Sequence, residues 1–170
     1  MSTAVLISIR PKWCDLIASG KKTIEVRKTK PNLPTPFKCY IYQTVPKSGD
    51  WNEHDGRVVG EFTCDSIEPH RLLYPAYQCE VDQTLLKESC LTYTELHNYV
   101  GSGNRFYGLH ISELTIYDKP RELSEFRRRC PNDLYCESCA MFNMNTETCG
   151  NSALVLKRPP RSWCYVEELK

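Results

Sequence analysis

The first 28 residues constrain the fold most, because they read as a strand, a short helix and a second strand in immediate succession. Val5, Ile7 and Ile9 alternate with Leu6, Ser8 and Arg10, the period of a half-buried strand. Pro11 follows, and proline suits a first helical position, where its missing N–H would have had no partner. Trp13, Leu16 and Ile17 fall at i, i+3 and i+4 and give that helix one apolar face. Gly20 stands where a left-handed C-terminal cap belongs. From Lys22 to Lys28 the alternation returns, with Ile24 and Val26 on one face and Thr23, Glu25 and Arg27 on the other.

Further along, Phe37–Thr44, Arg57–Ile67 and Phe106–Tyr117 are rich in β-branched and aromatic residues and read as strands. Gly60 marks a bulge and Ser112 a kink in these strands. Glu68–Ser89 reads as one or two short helices, and Thr92 with Glu95 forms a capping box that opens another, ended by Gly101. Ser162–Glu168 reads as a closing strand. Short strands with helices inserted irregularly, and no βαβ repeat, predict an α+β chain built on a small mixed β-barrel. The expected organisation is a barrel over residues 1–126, a cysteine-rich insertion over 127–157 and a closing strand and tail over 158–170.

Charge narrows the function. With 22 basic and 21 acidic residues in 170, the net charge is +1, which argues against a broad grip on duplex DNA. A pocket for one nucleotide, or a short single strand on a local basic patch, stays open. No run approaches the roughly 20 apolar residues of a membrane span, and the opening MSTAVLISIRPKW reads as a strand and not a leader. The expected setting is the cytoplasm of a bacterial or phage-infected cell, with no membrane partner.

Four of the ten cysteines cluster. Cys130, Cys136, Cys139 and Cys149 are spaced C-x5-C-x2-C-x9-C among polar residues poor in core formers. Four thiolates complete a tetrahedral shell, so the expectation is a structural zinc in a knuckle-like insertion; unligated thiols or a redox-active CxxC are the alternatives. The other six cysteines are dispersed and read as core residues. The four histidines are isolated, and no P-loop or G-x-S-x-G is present.

The segment SIRPKWCDLIASGKKTIEVRK resembles the signature of the ASCH domain, a member of the PUA-like superfamily. The pattern there is strand, Lys/Arg-Pro, helix, then Gly-x-Lys-Thr-x-Glu-x-Arg. Here it is carried by Ser8, Arg10, Pro11, Gly20, Lys22, Thr23, Glu25 and Arg27. Tyr107–Pro120 looks like the family's last core strand, and Arg158–Leu169 like endings of phage and bacterial members. The resemblance implies a small PUA-like barrel with flanking helices and a cleft between the first helix and the barrel. It also implies RNA or modified-nucleotide binding. Ser8, Arg10, Lys12, Lys22, Thr23, Glu25 and Arg27 are the expected ligand-binding residues, with Trp163 as a stacking platform beside Arg158 and Arg161.

Related amidohydrolases remove the acetyl group of N4-acetylcytidine with a lysine, a threonine and a glutamate, so that activity is the alternative. The lysine maps onto Lys22, the nucleophilic threonine onto Glu25 and the glutamate near Glu88. A carboxylate at position 25 does not form the ester intermediate of a threonine nucleophile, although it can serve as a base towards water.

Taken from the residues alone, Glu25 and Arg27 lie on one strand face, roughly 7 Å apart at a rise of about 3.3 Å per residue. A carboxylate accepts from an exocyclic amine, and a guanidinium forks onto a phosphate or a carbonyl. Equally, the two can pair with each other on a solvated face. The exposed run Arg127–Arg129 reads in the same two ways, as phosphate contacts or as a solvated surface.

Overall fold

A computed structural model describes residues 2–72, 83–130, 139–145 and 148–169. The opening unit forms as its pattern dictates: β1 (Thr3–Ile9), α1 (Pro11–Ala18) and β2 (Ile24–Arg27). Pro11 opens α1. A Schellman turn closes it, with Gly20 N–H on Ile17 O at 2.9 Å and Lys21 N–H on Leu16 O at 3.0 Å. Gly20 has φ 72°, a conformation that side chains other than glycine's strain to adopt. This tight stop brings Lys22 directly off the helix end.

Four further strands complete the main sheet: β3 (Phe37–Gln43), β4 (Val58–Arg71), β5 (Arg105–Arg121) and β8 (Trp163–Glu167). A two-residue hairpin, β6 (Phe142–Asn143) with β7 (Thr148–Cys149), stands apart. Among the described residues α2 (Gln83–Ser89) and α3 (Tyr93–Val100) are the remaining helices. The strand order is β2-β5-β4-β3-β1-β8, with β1 and β3 parallel and every other pair antiparallel.

β4 and β5 are too long to stay flat. Register shifts fall between Val58 and Gly60, Glu61 and Thr63, and Cys64 and Ile67, and Glu113 takes φ 47°. Each bulge bends the pair and increases its twist. The expected bulge at Gly60 and kink near Ser112 are therefore both present. Gly60 also permits close packing, since a Cβ there would lie 2.5 Å from Thr115 O. The sheet curls so far that Arg27, on one end strand, donates to Ser8 O in β1 at 2.6 Å.

Two features of the opening unit depart from expectation. β1 is not half-buried but buried on both faces. Val5, Ile7 and Ile9 pack with Ile17, Phe62 and Leu109, while Ala4 and Leu6 pack with Tyr40, Phe126, Leu156 and Val166. The second face is covered by the chain after β5 and by the closing strand, elements too far away in sequence for alternation to register. Likewise β2 is buried throughout: Ile24 and Val26 face Leu85, Leu96 and Val100 of α2 and α3. Glu25 and Arg27 therefore point away from these helices yet remain inside, so the solvated-face alternative does not hold.

Candidate functional site

Lys22, Glu25 and Arg27 come together where the curled sheet meets α1. Their exposures are 2%, 6% and 7%. Lys22 Nζ donates to Ile24 O and Ser89 O, both at 2.8 Å, and lies 3.2 Å from Glu25 Oε2. Three acceptors thus surround an ammonium that has three donors. The second carboxylate oxygen, Glu25 Oε1, meets Arg27 at 3.0 Å. Arg27 also reaches Ser162 Oγ at 3.5 Å, and its buried Nε has no hydrogen-bond partner among the described residues. One carboxylate therefore lies between two cations, and the trio keeps a net charge of +1 in the interior.

Other side chains surround this cluster. Trp13 of α1 lies beneath two lysine ammoniums, Lys12 at 4.4 Å and Lys22 at 5.3 Å from its ring centroid. Lys12 in turn pairs with Glu95 of α3 at 3.0 Å. Tyr99, also on α3, is exposed, and Lys28 sits 5.4 Å over its ring. Partial burial raises the pKa of the Tyr99 phenol above its usual range; Arg27 opposes this and Glu25 adds to it. On the buried face of α1, burial first, and then the charge of Glu25, pushes the Cys14 thiol up strongly.

The remaining expected site residues divide. Ser8 is buried and its hydroxyl donates to Pro160 O at 2.7 Å. Arg10, the N-cap of α1, and Lys12 are exposed at the rim. Thr23 is exposed, and its backbone joins Glu88 O and Ile111 N, each at 2.9 Å. Glu88 thus meets the unit through its carbonyl. Trp163 lies elsewhere: its indole donates to Thr29 Oγ1 at 3.1 Å and lines a separate groove with Arg128 and Tyr165. Neither of two surface grooves, this one and another along Pro69–Arg71 and Arg105–Tyr107, is lined by Lys22, Glu25 or Arg27.

Sequence reasoning missed Ser89, Tyr99 and Ser162. Ser89 contributes only a carbonyl, which no side-chain pattern marks. Tyr99 was legible as the polar-face aromatic of a capped helix, and Ser162 only through its neighbour Trp163.

The cysteine cluster is only partly described, since Cys136 lies outside the described residues. Cys149 is buried, Cys130 half-buried and Cys139 exposed. Among the described residues no three histidine, cysteine or acidic side chains converge as a metal would require, so those three cysteines do not by themselves fit a zinc shell.

The same residues that build the cluster also carry a family signature. The ASCH domain model matches residues 7–116, from inside β1 to the far part of β5. The chain belongs to the ASCH domain family. This PUA-like family is associated with RNA binding. Among solved structures, ASCH from Zymomonas mobilis is similar at 20% identity and TM-score 0.55, over 97% of this chain and 88% of that one. A serine-to-alanine variant of the Zymomonas mobilis protein gives TM-score 0.58 at 20% identity, over 97% and 89%. At that identity the likeness establishes the ASCH fold. Comparison with curated proteins gives no match. No helix among the described residues is long and apolar enough to cross a membrane.

Proposed function

We infer that this ASCH domain binds RNA, or a modified nucleotide within it, where α1 meets the curled sheet. The observation that carries the reading is the buried Lys22–Glu25–Arg27 cluster with its excess positive charge. An uncompensated interior charge is costly, and an anionic or carbonyl-bearing ligand offsets it. Glu25 spends one contact per oxygen on its cations, and a carboxylate offers about four acceptor sites, leaving capacity for an exocyclic amine. Arg10, Lys12 and Lys28 supply positive charge at the rim, and Trp13 and Tyr99 supply ring faces.

The amidohydrolase alternative needs a general base and a nucleophile. Lys22 is poorly placed as the base, because all three of its hydrogens already have acceptors. Thr23 offers an exposed hydroxyl, and position 25 carries a carboxylate. Binding is therefore the stronger reading. A structural zinc held by Cys130, Cys136, Cys139 and Cys149 belongs to the same proposal on spacing alone.

The test is to offer the protein an RNA pool and N4-acetylcytidine in parallel, following retention and deacetylation. RNA retention without turnover is the expected result. Turnover that disappears in Lys22→Ala would overturn the binding-only reading.

A further inference from the structure

The triple-arginine run does not form one solvated face. Arg127 turns inward, donating to Asn151 O at 2.6 Å, while its carbonyl accepts from Glu167 N–H of β8 at 2.9 Å. Phe126, fully buried, anchors the segment against Tyr40. Arg128 and Arg129 are exposed and line a groove of about 810 Å³. Asn32, Leu33, Trp163 and Tyr165 line the same groove.

Both rings are held before any ligand arrives. The Trp163 indole is fixed on Thr29, the Tyr165 phenol accepts from Asn32 N–H at 2.7 Å, and the rings meet edge-to-face at 5.3 Å. Among the described residues lining the groove there are two arginines and no acidic side chain. Cys164 also lines the groove; burial raises its thiol pKa and the charge of Arg128 opposes that rise. The volume lies in the upper part of the range of about 300–1,000 Å³ that accommodates a ligand of several rings.

We propose that this groove is a second nucleic-acid surface, a track for single-stranded RNA with phosphates on Arg128 and Arg129 and a base stacked at Trp163 and Tyr165. Fixed rings lose little freedom on stacking, and any base can use a π-face, so the track is expected to tolerate sequence. None of Lys22, Glu25 and Arg27 lines this surface.

The probe is a labelled octauridylate, titrated by fluorescence anisotropy from about 50 to about 200 mM salt. Replacing Arg128→Gln and Arg129→Gln together removes two phosphate contacts from exposed positions. The slope of log K against log salt is expected to become shallower by about 1.4, at about 0.7 per phosphate on a single strand. Lys47→Gln, at an exposed position that lines neither groove, is expected to leave that slope unchanged, so a change in the double arginine variant reports the groove and not the general loss of positive charge. Trp163→Leu, with its fold checked by circular dichroism, is expected to weaken binding about 5- to 150-fold. An unchanged slope in the double arginine variant, or no binding of the oligomer by wild type, would overturn the proposal. Equal displacement by polyglutamate would overturn it too, by making the groove a site for acidic peptides.

Discussion

Lys22→Met isolates the energetic role of the buried cluster. Methionine fills much of the lysine volume but donates nothing, so Ile24 O and Ser89 O lose their side-chain donor and Glu25 keeps only Arg27. Breaking a buried ion pair from one side typically costs about 3–5 kcal/mol. Each buried acceptor left unpaired adds about 1–3 kcal/mol where solvent cannot reach it. Against a total stability of about 5–15 kcal/mol, a loss of at least about 3 is a large fraction. For a chain of this size that corresponds to a fall in Tm of roughly 6–20 °C. Urea unfolding followed by circular dichroism measures it directly. Replacing all three members by apolar residues, Lys22→Met with Glu25→Leu and Arg27→Met, is expected to recover most of the loss, because no charge is then stranded. The two variants together separate a cluster kept for stability from one kept for binding. A loss under about 1 kcal/mol in Lys22→Met would contradict a desolvated cluster, since the ammonium would then have to be solvated.

Other consequences are open to test. Glu95 accepts from the Thr92 backbone and pairs with Lys12, and the backbone bond foremost lowers its pKa to about 2. Its stabilisation is therefore present above the ordinary carboxylate range and lost as pH falls towards about 2; Glu95 is partly exposed, so this amounts to about 1 kcal/mol or less. Glu95→Ala should cost about 1 kcal/mol or less at neutral pH through loss of the capping box, and much less below pH 2, as measured by thermal melts across pH. Gly60→Ala forces a Cβ against the Thr115 carbonyl and should destabilise by about 1–3 kcal/mol in urea titration. Alkylation followed by mass spectrometry should find Cys139 modified and Cys14, Cys39 and Cys64 protected, because burial blocks access and raises all three thiols, Cys64 to about 12. If the four clustered cysteines hold zinc, metal analysis gives one ion per chain and a chelator speeds alkylation of Cys139; well under one zinc per chain would remove the metal.

The sequence showed most clearly what is decided locally. A strand's alternation, a proline at the first helical position, a left-handed glycine and the Thr92–Glu95 box each act within a few residues, and α1, β2 and α3 begin and end accordingly. Burial of β1 on both faces was hidden, because Phe126, Leu156 and Val166 supply the second face from the far end of the chain. Glu25 and Arg27 were correctly placed on one face of β2. Whether that face met water depended on how far β4 and β5 curl, and so on several bulges acting together. Composition could not divide Arg127 from Arg128 and Arg129; the pairing of Arg127 with β8 does that. The ASCH signature located the cluster, but its carbonyl acceptors, on Ile24 and Ser89, leave no trace in a pattern of side chains.

On the function proposed above, the Glu25 cluster receives an RNA base or nucleotide. Glu25→Gln tests it most directly, since the amide keeps the shape and a donor-acceptor pair but removes the charge that balances Lys22 and Arg27. Isothermal titration of wild type and Glu25→Gln with an RNA recovered from the pool, under conditions where both are folded by circular dichroism, is the measurement. At least about a tenfold loss of affinity, or about 1.4 kcal/mol, is expected. Equal affinities in the two proteins would contradict it.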